Sequence, residues 1–295
     1  MQVLQTLDIA DWRPAIEPDL SQRLALSLEQ GKVLYLPRLP FPLLAHEQAF
    51  FSPQRLSGKR KNISLEGNEV RGATGSAELL AQIGAMIARY GEHSTTLINC
   101  LVPGYTAQLR RARTSFRPSP VKGPPPSWKK DDSRLHVDAF PSRPNYGERI
   151  LRVFTNVNPA GLPRIWRVGE AFEAAAQRFL AKIPRPLPGS AQLLYTLGIT
   201  KRPRSEYDHI MLQLHDRMKA DLDFQANSPQ EEVHFAFAST WVCFSDQVLH
   251  AAMSGQFMFE QTFHLPIASQ YYPETSPLQV LERLCGRALV SRAPV

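Results

Sequence analysis

The sequence predicts an α+β protein in which mostly antiparallel strands form a sandwich or barrel and helices lie at both ends of the chain. Three observations carry that prediction. Short strand-like runs cluster in two blocks, about 95–168 and 232–264. Apolar residues at helical spacing fill 17–31 and 76–90, and a helical insertion at about 169–226 separates the two strand blocks. Proline is abundant, 25 in 295 residues. Proline breaks helices and marks turns, so many short elements are expected.

The elements follow in chain order. Leucines recur at helical spacing over 17–31, and Gly31 is a plausible stop. "VLYLPRL" (33–39) reads as a strand. A helix is predicted over 76–90, capped by Ser76 and ended by Gly91. "TTLINCLV" (95–102) and "TAQLRRARTSF" (106–116) read as strands joined by a Pro103-Gly104 turn. Residues 117–134 form a Pro-rich basic loop. Strands are predicted near 134–140, at 149–158 and at 164–168. Helices are predicted at about 170–183 and 205–225, then strands at 232–238, 240–249 and 256–264. Ser276-Pro277 opens a final helix, because proline suits the first helical position.

No linker divides the chain, so residues 1–295 read as one domain. Its parts are a helical region about 1–94, a β core about 95–268 with a helical insertion about 169–226, and a C-terminal helix about 277–289. At 43% apolar and 21% charged residues the composition is that of an ordinary globular protein. Net charge is 34 − 27 = +7. That field favours an acidic partner: nucleic acid, an anionic membrane surface or a polyanionic small molecule. Cys100, Cys243 and Cys285 are isolated and in no CxxC spacing, which suits reduced thiols in a cytoplasmic chain. The N-terminus has neither the basic region nor the apolar run of a signal peptide. No apolar run reaches the length of a membrane span.

The chemistry concentrates in "LHVDAF" (135–140) and "SDQVLHAAMSG" (245–255). On a strand, His136 and Asp138 point to the same face. An HxD pair alone is more often a hydrogen-bonded pair than a metal site. A third donor, His250, at the edge of another strand of the same core changes that balance. Two imidazoles and one carboxylate on one side of a metal leave positions open opposite, the geometry of a non-haem Fe(II) site that takes a co-substrate and O2. A co-substrate such as 2-oxoglutarate needs a cation for its far carboxylate, best a bidentate arginine. That arginine often lies about ten residues after the distal histidine, but Gln261 stands there, and no Arg or Lys occurs from 251 to 282. Arg152, 14 residues past Asp138, is the other candidate, with Asn156 and Gln261 as polar neighbours.

Three stretches carry a family resemblance: "LHVDAFPSRPNYGERILRVFTNVNP", "PRIWRVGEAFE" and "TWVCFSDQVLHAAMSGQFMFEQTFHLP". They resemble the Kdo hydroxylases, Fe(II)/2-oxoglutarate-dependent dioxygenases of lipopolysaccharide inner-core assembly. The resemblance implies a double-stranded β-helix (jelly-roll, cupin-like) core with flanking helices. It implies oxidation of Kdo, attached to a lipid A precursor, at its 3-position to give Ko. It implies the metal triad His136, Asp138 and His250, with Fe(II), 2-oxoglutarate and O2 taking part and ascorbate as an activator. No protein acid or base is required beyond the metal ligands. Cations for an acidic substrate are offered by Arg113, Arg117, Arg143 and Arg149, and by Lys122, Lys129 and Lys130. A cytoplasmic enzyme in peripheral contact with the anionic inner membrane would follow, with no nucleic acid expected. Two alternatives stand beside this reading: the same chemistry on another acidic substrate, and a sugar- or nucleic-acid-binding β module without metal chemistry. His209, His215 and His264 lack ligand spacing and read as surface, neighbouring or packed groups. Trp12, Trp128, Trp166 and Trp241 read as core or loop anchors.

Overall fold

The computed structural model describes residues 2–58, 60–121 and 127–290. Lys122 of the basic loop lies outside them. The strands are β1 (Leu4–Thr6), β2 (Val33–Leu36), β3 (Ile63–Glu66), β4 (Glu69–Arg71), β5 (Arg110–Arg117), β6 (Arg149–Asn156), β7 (Arg164–Gly169), β8 (Gln230–Phe235), β9 (Thr240–Phe244), β10 (His250–Ser254) and β11 (Met258–Leu265). The helices are α1 (Pro18–Glu29), α2 (Ala77–Leu101), α3 (Phe172–Leu180), α4 (Ser190–Thr196), α5 (Glu206–Ala220), α6 (Leu222–Asn227) and α7 (Pro277–Cys285).

Eight strands make one sheet in the order β1-β2-β9-β6-β11-β5-β3-β4. A smaller sheet has the order β10-β7-β8. A single bridge between His136 and His250 sets the 135–138 segment beside β10, but the strand predicted near 134–140 does not form, because only that one residue pair exchanges backbone hydrogen bonds. Every pairing is antiparallel except β1 with β2. The central strands β5-β11-β6-β9 face the small sheet, which is the two-sheet arrangement of a jelly roll. Aromatics fill the space between: Trp241 stacks on Phe235 at 4.1 Å, and Trp166 meets Phe154 edge-on at 5.1 Å. Helices α1 and α2 cover the outer face of the large sheet. Helices α3, α5 and α7 pack on the other side.

Two helix boundaries also differ from expectation. The strand predicted over 95–102 is the second half of α2, which runs straight through Gly91. Gly91 marks close approach rather than a stop: a Cβ there would lie 2.9 Å from Gln261 Oε1 and Thr114 Oγ1. The hydroxyls that weaken this half as a helix are satisfied within it. Ser94 donates to the Tyr90 carbonyl and Thr95 to that of Gly91. The helix predicted over 205–225 breaks at Asp221, whose carboxylate caps α6 by accepting from Phe224 N.

Three further elements went unpredicted, the first of them the edge strand β1, which pairs in parallel with β2. Hairpin β3–β4 is joined by Gly67-Asn68, a recognised two-residue turn signal. Helix α4 lies in the Pro-rich stretch after α3.

Candidate metal centre

The triad is built by backbone pairing. His136 N donates to His250 O (3.1 Å), and His250 N donates to His136 O (2.9 Å). That exchange sets the two imidazoles side by side, with ring centroids 4.7 Å apart. Asp138, two residues on, is held by its own N–H to Ser245 O at 2.8 Å. One ligand atom from each of His136, Asp138 and His250 lies within 4.8 Å of the others.

Tautomers are set locally as well. His136 Nδ1 is 2.7 Å from the Arg134 carbonyl, and His250 Nδ1 is 2.8 Å from that of Val248. A carbonyl only accepts, so each Nδ1 carries the hydrogen and each Nε2 keeps its lone pair for a ligand role. Both histidines are buried. Burial, with further charge from His250 and Lys219, pushes His136 well below the usual imidazole range. Burial likewise lowers His250. Burial alone would raise Asp138, but the Arg152 guanidinium and the two imidazoles outweigh it and hold the carboxyl below its usual range. Two neutral imidazoles and a carboxylate are a donor set for a divalent first-row metal, and they fit Fe(II).

In front of the triad lies a cavity of about 140 Å³. Three arginines reach it: Arg117 from β5, Arg152 from β6 and Arg164 from β7. Arg152 lies 3.1 Å from Asp138 Oδ2 and 3.1 Å from Glu260 Oε1. Arg117 lies 2.8 Å from Glu260 Oε2. Arg164 is 4% exposed and, among the described residues, has no carboxylate at ion-pair distance. Burial and then the like charge of Arg117 lower it to about 10. With Asp138 engaged by a metal, Glu260 and the half-exposed Asp132 would face three guanidiniums, so the cavity keeps an excess of positive charge suited to a small anion. Trp166 forms an apolar wall, its ring stacked on His250 at 5.1 Å.

A larger cleft of about 570 Å³ meets this cavity at Arg117, Arg152 and Glu260. Arg110, Arg113 and Arg143 line it. Glu66 of the β3–β4 hairpin binds Arg113 and lies 3.5 Å from Arg143. Glu148 pairs with Arg110.

The structure thus gathers His136, Asp138, His250, Arg152 and Arg117 at one site and puts Arg113 and Arg143 at its mouth. It places three predicted residues elsewhere. Gln261 alternates away from the cavity: its Oε1 accepts from Thr114 Oγ1 at 2.5 Å, beneath α2. Asn156 donates to Leu162 O and Phe235 O at 2.9 and 3.1 Å and so ties down a turn. Arg149 is fully buried, 2.8 Å from Asp246 and stacked over Phe244 at 3.9 Å, so it cannot meet an entering substrate.

Sequence reasoning missed Arg164, Trp166 and Glu260 as site residues. The usable signal was the alternation in "RIW", but only the pairing of Trp166 with Ala252 and Val168 with His250 shows which face it serves. His215 meets the His136 ring edge-on at 5.2 Å and is 3.0 Å from Asp216, closer to the metal ligands than its sequence position suggests.

A family model for 3-deoxy-D-manno-oct-2-ulosonic acid (Kdo) hydroxylase matches residues 11–288. Among solved structures, the chain is similar to the Kdo hydroxylase KdoO, described as a non-haem Fe(II) α-ketoglutarate-dependent dioxygenase. Its cobalt(II) complex aligns at 45% identity and TM-score 0.97, covering 100% of this chain and 99% of that one. Its complex with α-ketoglutarate and Fe(III) aligns at 44% identity and TM-score 0.95, covering both chains fully at 100%. Its complex with succinate and Fe(III) aligns at 44% identity and TM-score 0.95, covering 100% and 99%. No curated protein matches the chain.

Proposed function

This chain belongs to the Kdo hydroxylase family, and from that premise we propose that it hydroxylates Kdo on a lipid A precursor at the 3-position, giving Ko. The family chemistry is Fe(II)- and 2-oxoglutarate-dependent oxidation. One observation carries the assignment of the site: three neutral-or-anionic ligand atoms within 4.8 Å of one another open onto a cavity with excess positive charge.

In this reading His136, Asp138 and His250 hold the iron. The bound iron supplies activation of O2 coupled to oxidative decarboxylation of 2-oxoglutarate. The protein supplies orientation and exclusion of water. Arg164, with Arg117, receives the far carboxylate of 2-oxoglutarate, since Arg164 is a buried cation with no carboxylate at ion-pair distance among the described residues. Arg152 orients Asp138 and Glu260 and borders the same cavity. Phe154, Trp166 and Met258 form its apolar wall. Arg113 and Arg143 in the larger cleft suit the sugar carboxylate and lipid phosphates. No side chain is assigned as acid or base.

The test is mass spectrometry of Kdo-lipid A after incubation with the protein, Fe(II), 2-oxoglutarate, ascorbate and air, with His136→Ala alongside. The expected result is one added oxygen on the sugar that depends on 2-oxoglutarate and on His136. Bound iron with slow 2-oxoglutarate consumption and an unchanged sugar would keep the chemistry and overturn the substrate. No iron and no turnover would favour a binding module.

A further inference from the structure

An apolar, basic patch lies beside the mouth of the larger cleft. Helix α4 and its flanks expose Leu187 (77%), Leu193 (59%), Tyr195 (45%), Leu197 (63%) and Ile199 (52%) to solvent. Five large hydrophobic side chains are bared within thirteen residues of chain, a density of exposed apolar surface that points to an interaction surface on a folded domain. Leu193 and Leu197 are four apart at the end of the helix and share a face.

Along this stretch of chain the charge has one sign. Between Glu173 and Glu206 the sequence has no acidic residue. Lys182, Arg185, Lys201 and Arg202 are all exposed there. Leucines and a tyrosine interspersed with cations, with Glu206 beside Arg185 already paired to Arg287, have the composition of an element that lies in the headgroup region of an anionic bilayer. A protein partner would have to match an apolar surface while also supplying acidic groups beside it. A bilayer of anionic lipid does both by its nature.

The patch is tied to the active cleft. Lys201 N donates to Ser142 O at 2.9 Å, and Arg204 donates to Pro141 O at 2.5 Å. The Tyr146 hydroxyl donates to Pro203 O, and the Arg202 guanidinium lies 4.3 Å from the centroid of the Tyr146 ring. Residues 140–145 line the larger cleft and begin two positions after Asp138.

We propose that residues 187–204 dock the protein on an anionic lipid bilayer and thereby present the cleft to a lipid-borne sugar. The orienting role rests on the reading of the substrate given above; the docking itself does not. Helix α4 lies at the interface with Leu193 and Leu197 toward the acyl chains. Arg185 and Lys201 lie at the level of the lipid phosphates.

The test is sedimentation with vesicles of phosphatidylglycerol and phosphatidylcholine, compared with phosphatidylcholine alone. Wild type, Leu193→Glu/Leu197→Glu and Arg185→Glu/Lys201→Glu are assayed, each checked for an unchanged melting temperature. These positions are exposed, so the variants keep the fold. The expected result is binding to the anionic vesicles only, weakened about tenfold or more by either double variant. Turnover of a deacylated, water-soluble Kdo saccharide should stay at the wild-type level, while KM for the vesicle-borne lipid rises. Equal binding of wild type and the leucine variant would overturn the proposal. So would wild type that ignores anionic vesicles, or a leucine variant that only dissociates a dimer in solution. The vesicles contain no Kdo, so a protein that binds them but leaves Kdo unoxidised keeps the docking surface and loses only the substrate reading.

Discussion

Arg152 bridges two carboxylates, Asp138 and Glu260, one guanidinium nitrogen 3.1 Å from each. One of them is a metal ligand in the proposed site and the other borders the co-substrate cavity. Arg164, from the facing sheet, touches neither. The two arginines should therefore fail differently. Arg152→Ala should weaken metal binding by roughly 10–100-fold, the usual effect of removing a group that orients a ligand, and raise the KM for 2-oxoglutarate as well. Arg164→Ala should raise that KM while metal binding stays at the wild-type level. Titration with Co(II), followed by its visible absorption, separates the cases. Equal metal loss in both variants would sink the distinction.

Arg149 stands within the same eight-residue strand yet belongs to the scaffold. It pairs with Asp246 at 2.8 Å where neither side chain meets solvent. Arg149→Met strands a buried carboxylate, which costs about 3–5 kcal/mol. The melting temperature should fall by roughly 6–20 °C, with the KM for substrate unchanged in the molecules still folded. A stable variant with a raised KM would restore the substrate role.

Gly91 lets α2 lie close over β5 and β11. An added methyl group would press on Gln261 and Thr114, both buried. Gly91→Ala should therefore destabilise the fold by about 1–3 kcal/mol, although alanine is the better helix former. Denaturant unfolding measures this, and a stabilised variant would refute the close approach.

His264 gives stability a pH dependence. Burial holds its imidazole below the usual range. As pH falls below about 6.5, the unfolded chain takes up a proton that the folded chain refuses, until the folded value is passed. Stability is therefore kept above that pH and lost on acidification, by at most about 1.4 kcal/mol per pH unit for this one group. His264→Gln should flatten the slope of unfolding free energy between pH 7 and 5. An unchanged slope would show that other groups carry it.

Much of the metal site was legible in the chain. His136 and Asp138 are two apart on an extended segment, and backbone alternation alone puts them on one face. His250 stood out as a histidine at the edge of a second strand, and the long stretches around the triad carried the family. The β core was legible too, because alternation and turn residues are local signals. The rest was not local. Helical spacing could not tell that Gly91 lies under a crossing rather than at an end. Polarity made Gln261, Asn156 and Arg149 look like site residues, but side-chain type does not reveal which sheet face is the inner one.

What the sequence determined by itself was the donor set and the strands that carry it, since both follow from spacing along the backbone. What the tertiary structure decided was which side chains surround the candidate triad. Arg164 and Trp166 reach it through the register of β7 against β10, Arg117 through that of β5 against β11, and the 201–204 segment after α4 is joined to the cleft by its bonds to the loop at 140–146. A one-residue slip in register would turn each of those strand residues to the opposite face. Register is set by the packing of two sheets against each other, and no short stretch of sequence contains it.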